Sequence, residues 1–229
     1  MASSVISSPV LVRCKGVLFD MDGILVSSLG SVDRTWTKWS LMRGLDPAYV
    51  LSIVHGCRAI DSLARLRPDL DSEAELKIVE DIEVADNEGL KVLPGVLDLL
   101  AALPRDRWTV VTSATERLAR IRMGAGGIPV PQRLVTAEQV TKGKPHPEPF
   151  LNGAAIIGLK PEECVVFEDS SSGAQAGRAA GCTVIATTFS HSVESLDAAD
   201  YLVPDLSGIT VEIFPAGQGI ALHFTPLTD

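Results

Sequence analysis

The segment Gly16-Val17-Leu18-Phe19-Asp20-Met21-Asp22-Gly23 constrains what this chain can fold into more than any other. A short apolar run bounded by turn residues reads as a buried strand, of the kind that fills a parallel sheet covered on both faces. Here the run stops abruptly at two carboxylates and a glycine. In open α/β sheets, sites lie outside the carboxyl ends of the strands. Asp20 and Asp22 are two residues apart and would share a face of a regular strand. Gly23 points instead to a loop in which Asp20 ends the strand and Asp22 curls over it. Two acids this close repel each other unless a cation or a shared proton holds them together. They are a candidate metal and catalytic pair, set against the plainer alternative of a strand-end turn with solvated aspartates.

The rest of the chain follows from that strand. Ser31 to Arg43 carries Val32, Trp36, Trp39 and Met42 at helical spacing, Gly44 ends it, and Pro47 starts a second helix. Arg58 to Leu66 and Ser72 to about Glu88 read as two more. About 65 residues after the first strand thus lack a convincing strand, too many for a simple crossover. The spacing predicts an inserted helical cap over 27–92 and an α/β catalytic core made of 1–26 and 93–229. From Pro94 onward helices and apolar strands alternate, with strands at Trp108–Val111, Leu134–Val135, Cys164–Phe167, Thr183–Ala186 and Tyr201–Val203. That alternation predicts a doubly wound parallel sheet. A β-hairpin is expected at the tail, Ile209 to Phe214 and Gly219 to Phe224 around Pro215-Ala216-Gly217-Gln218. A frayed start is expected up to about Cys14.

Charge narrows the partners. Twenty Lys and Arg against 29 Asp and Glu leave a net charge of −9, which disfavours nucleic acid and anionic membranes. An anionic substrate would need a local cation or a metal. The four cysteines are scattered with no Cys-x-x-Cys pair, as expected of reduced thiols in a cytoplasmic protein. Arg13 and Lys15 follow the short N-terminal apolar patch instead of preceding it, so neither a signal peptide nor a membrane span is expected.

Three predicted strands end in polar clusters: Asp20/Asp22, Thr112/Ser113 and Glu168/Asp169. Parallel strands would bring those ends to one rim. Between the second and third lies Lys144, in Lys142-Gly-Lys-Pro-His-Pro-Glu-Pro-Phe150. An oxygen-rich acidic set suits Mg²⁺, and a lysine with hydroxyl donors suits phosphate oxygens. Alternatives stand beside each reading. Glu168 and Asp169 would also serve to cap the helix near Ser171, Thr112 rivals Ser113, and Lys142 rivals Lys144. His146 reads as a loop filler and the tryptophans as cap core.

Taken together, Asp20-Met-Asp22-Gly, Ser113 after the second strand, Lys144 in Lys-Pro-x-Pro, and Glu168-Asp169 before Ser-Ser-Ser-Gly-Ala-Gln-Ala-Gly resemble the haloacid dehalogenase superfamily of phosphotransferases. The resemblance runs from about residue 15 to 203, with four motifs in the right order. His55-Gly-Cys-Arg58 and the segment around Lys144 look like the capped glycerol-phosphate and deoxysugar-phosphate phosphatases, whose cap also occurs in β-phosphoglucomutases. The resemblance implies Asp20 as nucleophile and Asp22 as general acid and base. It implies Mg²⁺ held by Asp20, the Asp22 carbonyl and Asp169, with Glu168 nearby or acting through water. Lys144, Ser113 and the backbone N–H of Ala114 would bind phosphate, and Arg58 and His55 would reach substrate from the cap. The expected substrate is a small phosphorylated sugar or polyol, and the expected state a monomer whose cap opens and closes. Two positions depart from the family pattern: Ile24 stands where Thr is common after Asp-x-Asp-Gly, and Ser27 where many capped relatives carry Asp.

Overall fold

The computed structural model describes residues 8–86, 88–215 and 218–227. Met1–Ser7, and Ala216 and Gly217 of the predicted hairpin turn, lie outside them. The first strand of the chain is β1 (Val10–Cys14), followed at once by β2 (Gly16–Phe19), the apolar run that ends at Asp20. A two-stranded ribbon, β3 (Val26–Ser27) with β4 (Lys91–Val92), brackets four helices: α1 (Leu29–Met42), α2 (Pro47–Val54), α3 (Ala59–Leu66) and α4 (Ser72–Ala85). Then come α5 (Val96–Ala102), β5 (Trp108–Val110), α6 (Glu116–Ala125), α7 (Glu148–Ile156), β6 (Cys164–Glu168), α8 (Ser171–Ala180), β7 (Thr183–Thr187), β8 (Tyr201–Val203), β9 (Thr210–Ile213) and β10 (Ile220–Phe224).

The main sheet runs β5-β2-β6-β7-β8 and every pairing in it is parallel. Alternation along β2 sends neighbouring side chains to opposite faces. Val17 and Phe19 join Val96 and Leu99 of α5 and Ala119 and Met123 of α6. Leu18 joins Phe150 of α7 and Ala174 of α8. Phe19 stacks on Phe167 at 5.2 Å and meets Trp108 edge-on at 6.1 Å, so three adjacent strands share one aromatic contact. Such geometry adds about 0.5–1.5 kcal/mol per pair beyond burial. Helices on both faces of a parallel sheet make this the doubly wound α/β fold expected from the alternation.

The N-terminus departs from the expectation of fraying. β1 pairs antiparallel with β10, which pairs with β9, so a three-stranded sheet unites both ends of the chain. Val12, Ile220 and Leu222 bury in the same cluster as Phe19. Nothing local to Val10–Cys14 announces a partner some 200 residues away. The predicted strand at Leu134–Val135 amounts to a single bridge, Val111 to Val135. The β3–β4 ribbon has two residues on each side, too few to show a period of two.

Helices α1–α4 have their own core of Trp36, Trp39, Val50, Val54, Leu63 and Val79. Trp39 Nε1 donates to Glu75 at 2.7 Å, and Arg43 grips the same carboxylate with two bonds of 2.8 Å. Asp46 and Asp71 cap α2 and α4 by accepting from Ala48 and Glu73. Among the described residues no helix is long and apolar enough to cross a membrane.

Candidate active site

Because β5, β2 and β6 are neighbours, their carboxyl ends deliver the predicted clusters to one place. Phe19 lies level with Val110 and Phe167, so Asp20 follows directly beside Val111 and Glu168. Asp20, Glu168 and Asp169 are all buried, and each offers a carboxylate oxygen within 4.8 Å of the others. Lys144 reaches in from the loop before α7, where the Lys144–Pro145 peptide is cis. Its Nζ donates to Asp20 Oδ1 at 2.6 Å, Glu168 Oε1 at 2.5 Å and the Val111 carbonyl at 3.2 Å. Lys142, its rival, does not line the cavity above these residues.

Electrostatics follow from this burial. Desolvation pushes the Asp20 carboxyl up to about 7, against the pull of Lys144 and with help from Glu168 and Asp22. Desolvation, then Glu168 and Asp20, also hold Asp169 well above the carboxylate range. Burial works to lower the Lys144 ammonium, but Asp20 and Glu168 outweigh it and raise it. One lysine thus faces three desolvated acids. An all-oxygen, over-acidic donor set of this kind fits a divalent cation such as Mg²⁺. Asp20 and Asp169 are the residues that would hold it, with Glu168 beside them.

Two glycines make the approach possible. Gly23 has φ +82°, and a Cβ there would lie 1.8 Å from Asp169 Oδ2. A Cβ on Gly173 would lie 1.7 Å from Glu168 Oε1. Glu168 is also fixed through Oε2, which accepts from the Asp169 and Ser170 backbone N–H groups and the Ser170 hydroxyl, each at 2.9 Å. Ser170, not Asp169, caps α8 by accepting from Gly173. The capping alternative for the acid pair is therefore met by a different residue, and Asp169 stays free to face the cluster.

Asp22 is not part of that acidic cluster. Its Oδ1 accepts from the Ser28 hydroxyl at 2.6 Å and from Arg122 Nη1 at 2.9 Å. Arg122, 3% exposed on α6, also donates to Glu83 of α4 at 3.1 Å. Sequence reasoning missed Arg122, Glu83 and Ser28. An arginine in a helix with Arg117 and Arg120 carries no local sign that it turns inward.

The Ser113 hydroxyl lies at the rim and donates to the Gly56 carbonyl at 3.3 Å, which also takes the Ser172 hydroxyl at 3.2 Å. Thr112 is occupied in the turn, accepting from Ala114 N–H at 3.1 Å. The Ala114 donor is thus engaged locally here. Ser113 and Ala114 both line the cavity with Asp20, Asp22, Lys144 and Asp169. His55 lines it too, its Nε2 3.2 Å from Asp33 Oδ1, and so do Ser190 and His191. Burial, then His55, lowers the His191 imidazole below its ordinary value. His146 sits outside, accepting from Glu148 N–H at 3.2 Å, which fits a loop filler. Trp36 and Trp39 pack in the cap core, with Trp36 also touching the cavity wall.

Arg58 is not brought to the cavity, contrary to the expectation of a substrate contact. Its five N–H donors go to Asp61 (2.7 and 2.8 Å) and to the carbonyls of Ala137, Val140 and Thr141 (3.2, 2.6 and 2.9 Å). None remains for a phosphate. The residue latches the cap to the loop that leads to Lys144.

Comparison with known proteins bears on the same residues. A haloacid dehalogenase-like hydrolase family description matches residues 14–181. The chain is 43% identical to hexitol phosphatase A of Escherichia coli, covering 91% of this chain and 99% of that one. It is 33% identical to glycerol-1-phosphate phosphohydrolase 2 of Saccharomyces cerevisiae, over 90% and 88% of the two chains. A β-phosphoglucomutase structure from Clostridium difficile superposes with a TM-score of 0.72 at 20% identity, over 85% and 92%, which is a likeness of fold.

Proposed function

We propose, for a chain that belongs to the haloacid dehalogenase-like hydrolases, a phosphatase acting on small sugar or polyol phosphate monoesters through an aspartyl-phosphate on Asp20. The observation that carries this reading is the convergence on Asp20 of a buried lysine, two further buried acids and the Ser113 loop. The relatives' substrates, a hexitol phosphate and a glycerol phosphate by name, supply the substrate class.

In the proposed first step an Asp20 oxygen attacks phosphorus in line, and the ester P–O bond breaks. Asp22 gives its proton to the departing alkoxide. In the second, Asp22 takes a proton from water, the water oxygen bonds to phosphorus, and the acyl-phosphate P–O bond breaks to release inorganic phosphate. Lys144 and Ser113 stabilise the transferred phosphoryl oxygens, and the Ala114 N–H joins them once it leaves the Thr112 hydroxyl. When bound beside Asp20 and Asp169, Mg²⁺ would supply positive charge against those oxygens. Ser28 and Arg122 hold the Asp22 side chain, which this proposal assigns to the leaving-group side. The same proposal includes 27–92 as a moving cap, a monomer, and a cytoplasmic setting in keeping with four unpaired cysteines.

The test is a panel of phosphate esters in which free phosphate and isomerised sugar phosphate are measured side by side. Phosphate release from polyol or deoxysugar phosphates is the expected result. Bisphosphate-dependent isomerisation without release would replace this reading with a phosphoglucomutase-like one. Silence towards every ester would leave a binding protein on the same fold.

A further inference from the structure

The cavity has two unlike halves. Its floor is the strand-end cluster around Asp20 and Lys144; its roof comes from the cap. Leu76, Glu80 and Glu83 lie at i, i+4 and i+7 on α4, one stripe of that helix, and all three line the roof. Val79, at the flank of that stripe, belongs to the cap core, and Leu76 packs partly against it. Both acids are poorly solvated: the Glu80 side chain is 15% exposed and that of Glu83 9%. Glu80 accepts from the Thr115 hydroxyl and from Arg117 at 2.7 Å, and Glu83 from Arg122.

The charge of that half is fixed by these contacts. Asp22, Glu80 and Glu83 face it; Arg122 bridges Asp22 and Glu83, and Arg117, outside the lining, is shared between Glu80 and Asp81, so the acids outnumber the guanidinium groups four to two. Among the described lining residues the other cation of the Lys and Arg type is Lys144, committed to the floor. The histidines in the lining are His55, whose Nε2 lies 3.2 Å from Asp33 Oδ1, and His191. The wall is therefore net negative, with the apolar side chains of Leu76 and Trp36 beside it. Carboxylates readily accept hydrogen bonds from hydroxyls. They repel an anion, and such repulsion is how a site rejects a competitor of the right size.

We infer that the Glu80–Glu83 stripe is a charge filter, which admits neutral polyhydroxyl leaving groups and rejects phosphate esters that carry a second anionic group. The inference rests on the phosphatase reading above and adds the residues that set its specificity. It also disfavours a bisphosphate as substrate, since the second phosphate would have to sit against these acids.

Two pairs of esters matched in size test it: glycerol phosphate against phosphoglycerate, and glucitol phosphate against phosphogluconate. Each pair exchanges a neutral CH₂OH for a carboxylate. The wild type is expected to favour the neutral member of whichever pair it turns over. In Glu80→Gln/Glu83→Gln, which keeps shape and one acceptor oxygen per side chain, the ratio of kcat/KM values should narrow at least about tenfold, equivalent to about 1.4 kcal/mol. Glu80→Gln alone, which leaves the Arg122 bridge intact, should narrow it about threefold or more, and it carries the test if the double variant does not fold. An unchanged ratio in a variant that still releases phosphate overturns the filter and leaves the phosphatase standing. Wild-type protein that releases phosphate from no ester overturns both.

Discussion

Replacing Arg122 by Met is the sharpest probe of how cap and core are joined. The side chain is 4% exposed and bridges Asp22 at 2.9 Å to Glu83 at 3.1 Å, residues 100 and 39 positions away. Met retains apolar bulk and removes the charge. Asp22, at 28% side-chain exposure, recovers some hydration, whereas Glu83, at 9%, is left buried without its cation. Breaking a buried pair from one side costs about 3–5 kcal/mol. For a chain of this length each kcal/mol lowers Tm by about 2–4 °C, so a loss of about 6–20 °C is expected. Burial already holds the Glu83 carboxyl above its ordinary value in spite of Arg122. Its ionisation therefore weighs against the folded state, and stability falls as pH rises through the folded pKa. Without Arg122 that pKa climbs further, so the deficit should be small near pH ~5 and larger near pH ~8. Urea unfolding at both pH values, on R122M, E83Q and the double variant, gives the cycle. The double variant should recover most of the loss, since no buried charge is orphaned. A deficit under about 1 kcal/mol at the higher pH, with no coupling between the two sites, would refute the bridge as a structural element.

Other outcomes follow from the same geometry. Asp20→Asn should abolish phosphate release while circular dichroism stays native, and full activity would remove Asp20 as the nucleophile. Excess chelator should stop turnover and added Mg²⁺ restore it; undiminished turnover in chelator would take the metal out of the reaction. Arg58→Met should lower stability by about 2–4 kcal/mol, because three loop carbonyls and Asp61 lose their partner. If instead it raised KM sharply with stability unchanged, Arg58 would be a substrate contact after all.

The chain of residues alone was enough to place Asp20, Ser113, Lys144, Glu168 and Asp169 in one site. Apolar runs that stop at polar residues mark strand ends, and parallel pairing brings those ends to one rim. That signal is local, and the topology that completes it is nearly obligatory. Helix insertion after the first strand was legible for the same reason, from spacing and breakers. The union of Val10–Cys14 with the C-terminal hairpin was not legible, since edge pairing between distant segments leaves no periodic mark on either. Neither was the direction of single charged side chains. Arg58 looked available and is spent on loop carbonyls, while Arg122 looked like surface and is buried against the candidate acid–base aspartate. Their partners lie 79 to 83 and 39 to 100 residues away, so only the packing of cap on core decides which charge meets which. Glu80 and Glu83 belong with them: helical spacing put both on one stripe, and tertiary contact alone turned that stripe towards the cavity.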